Sequence, residues 1–173
     1  MYKLSKKLFS LAFIVLVLSS CRTYFDQGAR ESIQSNEKSN IEKVQFYVNQ
    51  TILLEIQSKF VSENISEGML KTRNGITYYQ IKIKRNTKCL AEDMGSDVLK
   101  IRFDKGEDDF LLFSKTINGY QLVTTQESNN YFVNFKDRRF KVIRGQDSML
   151  LIKKKHRQRS KRLIHKVKGL SIT

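Results

Sequence analysis

The sequence predicts an all-β protein: one antiparallel sandwich or small barrel of about nine strands. Short runs rich in β-branched and aromatic residues recur at spacings of about ten residues from Lys43 onward. Several of them alternate apolar and polar residues with a period of two, the pattern of a sheet with one wet face. Asn-Gly dipeptides at 74–75 and 118–119 mark tight turns. No long amphipathic helix interrupts this series. Proline is absent, which leaves Gly and Asn to make the turns.

Taken in order, residues 22–40 are polar and without strong period, and they read as a tether ahead of the domain, with a short helix around Ala29–Glu37 as a weaker alternative. The domain begins at Ile41. Lys43–Val48 and Thr51–Ile56 are β-prone, and the short joint Asn49-Gln50 between them predicts a hairpin. Residues 57–69 have no clear pattern, and within them Ser62–Gly68 reads as a loop or a single helical turn. Asn74-Gly75 joins Met69–Thr72 to Ile76–Lys84. In that second run Tyr79, Ile81 and Ile83 fall on one face, and Gln80, Lys82 and Lys84 on the other. A short strand over 86–92 contains Cys89, and Val98–Phe103 alternates again. The acid-rich Asp104–Asp109 makes a charged turn before the buried-strand candidate Phe110–Phe113. Asn118-Gly119 opens into Tyr120–Thr125, and a polar break over 126–130 precedes Tyr131–Phe135. Lys136-Asp137 turns the chain into Arg138–Arg144, and Met149–Ile152 closes the domain. Phe46, Phe103, Phe110, Phe113, Phe132 and Phe140 are the core candidates. Tyr78, Tyr79 and Tyr120 are candidates to face a partner.

The net charge of +15 is unevenly placed. Nine cations lie between Lys153 and Lys168 with no acid among them: Lys153, Lys154, Lys155, Arg157, Arg159, Lys161, Arg162, Lys166 and Lys168. The stretch from Arg22 to Ile152 carries twenty Lys/Arg against seventeen Asp/Glu, a net of +3. The body is therefore an ordinary mixed-charge domain, and residues 153–173 form a basic tail. Each cation near an anionic surface contributes about 1 kcal/mol. The tail reads either as a surface for anionic membrane or an acidic partner, or as a solvated terminus. Leu163, Val167 and Leu170 sit at helical spacing, with Ser160 as an N-cap and Gly169 as a stop; an added strand over Arg162–Lys168 is the alternative.

Motifs for chemistry are sparse. The two histidines, His156 and His165, both lie in the tail, far from any carboxylate in sequence. Cys89 has no histidine partner in the body and reads as a small buried strand residue. The acidic turn at 104–109 lacks the ligand alternation of a helix-flanked calcium loop. No phosphate-binding glycine loop or dinucleotide fingerprint is present. A non-enzymatic protein without cofactor or metal is expected.

The first residues give an address. Lys3, Lys6 and Lys7 precede an eleven-residue apolar run, Leu8–Leu18, followed by Ser19, Ser20 and Cys21. A membrane span needs about twenty residues, so the run is a secretory signal rather than a span. Leu18-Ser19-Ser20-Cys21 resembles the lipobox of bacterial lipoproteins. That resemblance covers residues 1–21. It implies cleavage before Cys21, acylation of Cys21 and a membrane-anchored envelope protein. Arg22 stands where lipoproteins kept at the inner membrane commonly carry Asp, which implies the outer membrane, and no acidic cluster follows the cysteine, which implies its periplasmic face. The body resembles small β-rich envelope lipoproteins of Gram-negative bacteria in style, without a signature motif. Asp147-Ser148-Met149 resembles a short O-glycosylation acceptor of some such envelopes.

The expected organisation is a signal peptide over 1–20, a lipidated tether over 21–40, a β domain over 41–152 and the basic tail over 153–173. The expected function is protein–protein interaction, as an accessory subunit of an envelope assembly or an inhibitor. Its contacts would be the membrane through acylated Cys21, an envelope protein partner and anionic lipid headgroups, with no nucleic acid. The alternative is a barrel binding a small apolar or glycan ligand.

Overall fold

The computed structural model describes residues 22–35, 40–60, 68–95, 97–103 and 109–154. Its strands are β1 (Arg22–Tyr24), β2 (Phe46–Val48), β3 (Ile52–Gln57), β4 (Met69–Arg73), β5 (Ile76–Ile83), β6 (Lys88–Asp93) and β7 (Val98–Arg102). They continue with β8 (Phe110–Thr116), β9 (Gly119–Leu122), β10 (Thr125–Glu127), β11 (Asn130–Phe135), β12 (Arg138–Arg144) and β13 (Leu150–Lys153). One short helix, α1 (Gln27–Gln34), and 3-10 turns at Ile41–Lys43 and Ser58–Phe60 complete the set. A seven-stranded sheet runs β1-β13-β2-β6-β7-β8-β9, and a six-stranded sheet runs β10-β11-β12-β3-β5-β4. Together they form a sandwich-like all-β fold, as the alternation and turn signals predict.

The turns work as their chemistry dictates. Asn74 and Gly75 both hold positive φ, 49° and 73°, the geometry a two-residue hairpin needs to match strand twist. Lys136 and Asp137 do the same between β11 and β12, at 51° and 54°. Ser128 and Asn129 also turn with positive φ, so the polar stretch 126–130, expected as a break, is a hairpin joining β10 to β11.

Period-2 alternation places the core. In β7, Leu99 and Ile101 are fully buried, while Lys100 and Arg102 point outward to Glu92, at 3.8 and 2.9 Å. Phe46, Leu54, Phe113, Phe140 and Ile152 are likewise fully buried. Each such side chain contributes about 1.5–3 kcal/mol through burial. Of the phenylalanines expected in the core, Phe132, Phe103 and Phe110 are only half-buried.

The seven-stranded sheet curls until its ends meet. Gln121 of β9 bridges Met149, just before β13. Leu122 N–H donates to Ser148 O at 2.8 Å, and Tyr120 N–H to Phe25 O at 3.2 Å. The meeting requires Gly119. Its φ is +133°, and a Cβ there would lie 2.7 Å from Phe25 O.

Two expectations are corrected. The pair β2–β3 is not a hairpin, because the strands belong to different sheets. Asn49 is tied to the chain ahead of β13: its N–H donates to Met149 O at 3.0 Å, and its Oδ1 accepts from Met149 N–H at 2.8 Å. That brace steers the chain across the sandwich instead of back along β2. Residues 22–35, expected as tether, are part of the domain. β1 pairs antiparallel with β13, with Arg22 opposite Lys153. Asp26 caps α1 by accepting from Ala29 N–H at 2.8 Å. Phe25, Ala29, Arg30 and Ile33 are buried, and the Phe25 ring meets Phe46 edge-on with centroids 4.9 Å apart. Arg30 is only 2% exposed; it donates to the Tyr120 hydroxyl at 2.8 Å and to the Gly95 carbonyl.

Candidate functional site

The outer face of the six-stranded sheet carries a groove of about 650 Å³, lined by Glu55, Ile56, Gln57, Tyr78, Phe132, Arg138, Arg139 and Lys141. Register assembles it. Lys141 of β12 lies opposite Phe132 of β11 on one side and opposite Glu55 of β3 on the other. Glu55 in turn lies opposite Gln80, and Gln57 opposite Tyr78. Successive outward residues of four strands thus form two adjoining rows.

The electrostatics of the groove are one-sided. Three of the eight lining residues are cations and one is an acid. That acid, Glu55, is buried and accepts from Arg73 and from the Gln80 amide. Gln80 is consequently buried too, although alternation places it on the polar face. Glu55 is engaged by Arg73 and Gln80, and of the lining cations Arg138, Arg139 and Lys141, Arg139 is engaged by Glu127. Two rings hold cations in place. The Arg139 guanidinium sits 4.4 Å from the Phe132 ring centroid and pairs with Glu127. The Arg73 guanidinium sits 4.7 Å from the Tyr78 centroid. Such contacts contribute about 0.5–1 kcal/mol each at exposed sites and restrict the rotamers of long side chains. A second depression of about 320 Å³ adjoins, sharing Phe132 and Arg139 as wall.

The arrangement suits an extended ligand that offers carboxylate or other anionic groups to fixed guanidinium forks and apolar stems to ring faces. Tyr78, a sequence candidate for partner contact, lines the groove. Tyr79 and Tyr120, candidates on the same ground, are buried. Phe132, expected in the core, is a groove wall. Glu55, Gln80, Arg138, Arg139 and Lys141 carried no local sequence signal, because the register that gathers them spans residues 55 to 141.

Lys153 and Lys154 of the basic segment are exposed at and just beyond the end of β13. Cys21, Lys155, Arg157, Arg159, Lys161, Arg162, Lys166 and Lys168 lie outside the described residues, as do His156 and His165. Of the acidic turn, Asp109 is described and pairs with Lys136 at 3.0 Å, tying β8 to the β11–β12 turn. Cys89 is buried, and burial pushes its thiol well above the ordinary value. Ser148 is fully buried, and its hydroxyl lies 3.4 Å from Asn49 Oδ1, which takes it out of reach of a modifying enzyme. No described helix is long and apolar enough to cross a membrane.

Comparison with protein-family models, curated proteins and solved structures finds no match.

Proposed function

We propose that this protein is a non-enzymatic, lipid-anchored envelope protein that works by binding, and that the Tyr78–Phe132 groove receives an acidic, extended segment of a protein partner. The single observation behind this reading is the charge of the groove. Three of its eight lining residues, Arg138, Arg139 and Lys141, are cations; its one acid, Glu55, is engaged by Arg73 and Gln80, and Arg139 is paired with Glu127 from outside the lining. Cations held over rings are pre-oriented, so less side-chain entropy is lost on binding than for free surface lysines. The lipobox-like Leu18–Cys21 supports the anchor, and the apolar run before it supports export.

The test uses the acylated protein in its native cells. A photoreactive residue at Gln57 should crosslink to a defined envelope protein. Arg139→Gln with Lys141→Gln should cut the yield about tenfold, equivalent to about 1.4 kcal/mol. Crosslinks unaffected by the two substitutions would remove the groove as the contact. Crosslinks to saccharide alone would favour the small-ligand alternative; the groove volume falls within the usual range for such sites, about 300–1,000 Å³.

A further inference from the structure

We propose that the lipid anchor and the basic tail act at one point of the fold, so that the protein stands on an anionic lipid surface by the end of the β1–β13 pair. The inference rests on the reading of Cys21 as the lipidated residue. What goes beyond that reading is the geometry.

β1 and β13 are antiparallel, with Arg22 opposite Lys153. Opposite Cα atoms in such a pair lie about 4.5–5.5 Å apart. Cys21 is the covalent neighbour of Arg22, and Lys154 that of Lys153. The anchor and the first cations of the tail, far apart in sequence, therefore leave the sheet side by side. The same end carries further cations within the fold. Ile152 is paired with Phe46, and the exposed Lys43 lies in the 3-10 turn just ahead of it. Arg22 is held there with its guanidinium 3.8 Å from the Tyr47 centroid.

Distance decides whether this matters. A flexible tether over residues 22–40 would set the domain about 24 Å from its lipid on average. Electrostatic attraction to a membrane fades within a Debye length, about 8 Å at physiological salt. A tethered domain would hold most of its charge outside that range. Here Arg22, the residue after Cys21, is already in a strand and Phe25 is fully buried, so the folded domain begins one residue after the proposed anchor. The anchor would hold Lys153 and Lys154, the first two of the nine cations, inside that range. Attraction rooted beside the anchor also pulls on the end that the lipid already holds, instead of tipping the domain onto its flank.

The experiment places a fluorophore on the mature, acylated chain at Lys43→Cys or at Lys84→Cys. Lys84 is exposed at the opposite end of β2, where Asn86 N–H donates to Val48 O. Cys89 is buried with a raised thiol pKa, so labelling is selective for the introduced cysteine. Quenching by a headgroup nitroxide is compared on phosphatidylcholine vesicles and on vesicles containing phosphatidylglycerol. On the anionic vesicles the label at 43 should be quenched several-fold more than the label at 84. Replacing the cations from Lys154 to Lys168 with Gln should lower that ratio at least about twofold, as should the change to phosphatidylcholine. A ratio insensitive to both changes, or one favouring position 84, overturns the proposal. A mature chain that carries no lipid mass on Cys21 overturns the anchor reading and this inference together; a lipidated chain with an insensitive ratio overturns this inference alone.

Discussion

Arg30→Ala tests whether the segment ahead of the expected domain is structural. Arg30 is 2% exposed and donates to the Tyr120 hydroxyl and the Gly95 carbonyl. Hydrogen bonds from a charged donor contribute about 1.5–3 kcal/mol each. Truncation also leaves a void where the aliphatic stem packed. Relief of the cost of burying a guanidinium offsets part of this. The expected net loss is about 3–5 kcal/mol, or roughly 10 °C in Tm for a domain of this size. Arg30→Met keeps the stem and removes the buried charge, so it should lose only about 1–2 kcal/mol. Tyr120→Phe should also lose about 1–2 kcal/mol, and the double variant Arg30→Met, Tyr120→Phe should fall short of additivity by about 1 kcal/mol. Urea unfolding followed by far-ultraviolet circular dichroism gives all four values. A loss below about 0.5 kcal/mol for Arg30→Ala, the size of an ordinary surface change, would show that residues 22–35 hang free of the sandwich.

Gly119→Ala should destabilise by about 2–3 kcal/mol, because its Cβ would strike Phe25 O and its φ is positive; faster amide exchange at Tyr120 N–H, which donates to Phe25 O, should accompany the loss. Glu55→Ala should lose about 2–3 kcal/mol by stranding the buried Gln80 amide, whereas Glu55→Gln, which keeps an acceptor oxygen, should lose less; thermal unfolding separates the two. Cys89 predicts a pH dependence. Burial raises its thiol pKa in the folded chain, so the unfolded chain alone releases the proton as pH climbs past the ordinary thiol value. Bound protons are then fewer in the unfolded state, and stability should fall with rising pH by up to about 1.4 kcal/mol per unit. Urea midpoints measured above and below that value should show the slope in the native chain and a flatter profile in Cys89→Ala.

What could be read from sequence was what is encoded locally. Ile76–Ile83 alternates and follows Asn74-Gly75, so its strand and hairpin follow from a dozen residues. The assignment of β2 and β3 to different sheets does not. Two polar residues look the same in a hairpin as in a sandwich corner, and the choice is made by Asn49 gripping Met149, a hundred positions away. The segment 22–35 hides for the same reason. Its helix is eight residues long, and its charged Arg30 is accommodated only because Tyr120 and Gly95 close over it. A short helix over Ala29–Glu37 could be suspected from sequence, but its start at Gln27, set by the Asp26 cap, and its burial could not. The groove was less legible still. Its cations look like solvated strand residues until register sets them around Glu55.

The two cationic features of this chain obey different physics, and that separates their roles. The tail carries nine charges in series; in the proposed arrangement they act on a surface of diffuse charge, and their pull would be screened by salt. The tail's described origin, Lys153, lies opposite Arg22 in the sheet. The groove carries three cations, two rings and an acid set by β-sheet register. Its Arg139 guanidinium is held by Glu127 and the Phe132 ring, so its orientation is set before a ligand arrives. Doubling the ionic strength should therefore weaken membrane apposition far more than groove binding, since contact pairs partly shielded from solvent are screened less than exposed charges. The same logic sets the order of events. In the proposed arrangement, lipid and tail confine the domain to a surface, and such confinement would raise the local concentration of any partner on that surface. A groove of moderate affinity, too weak to capture its ligand from dilute solution, is then sufficient.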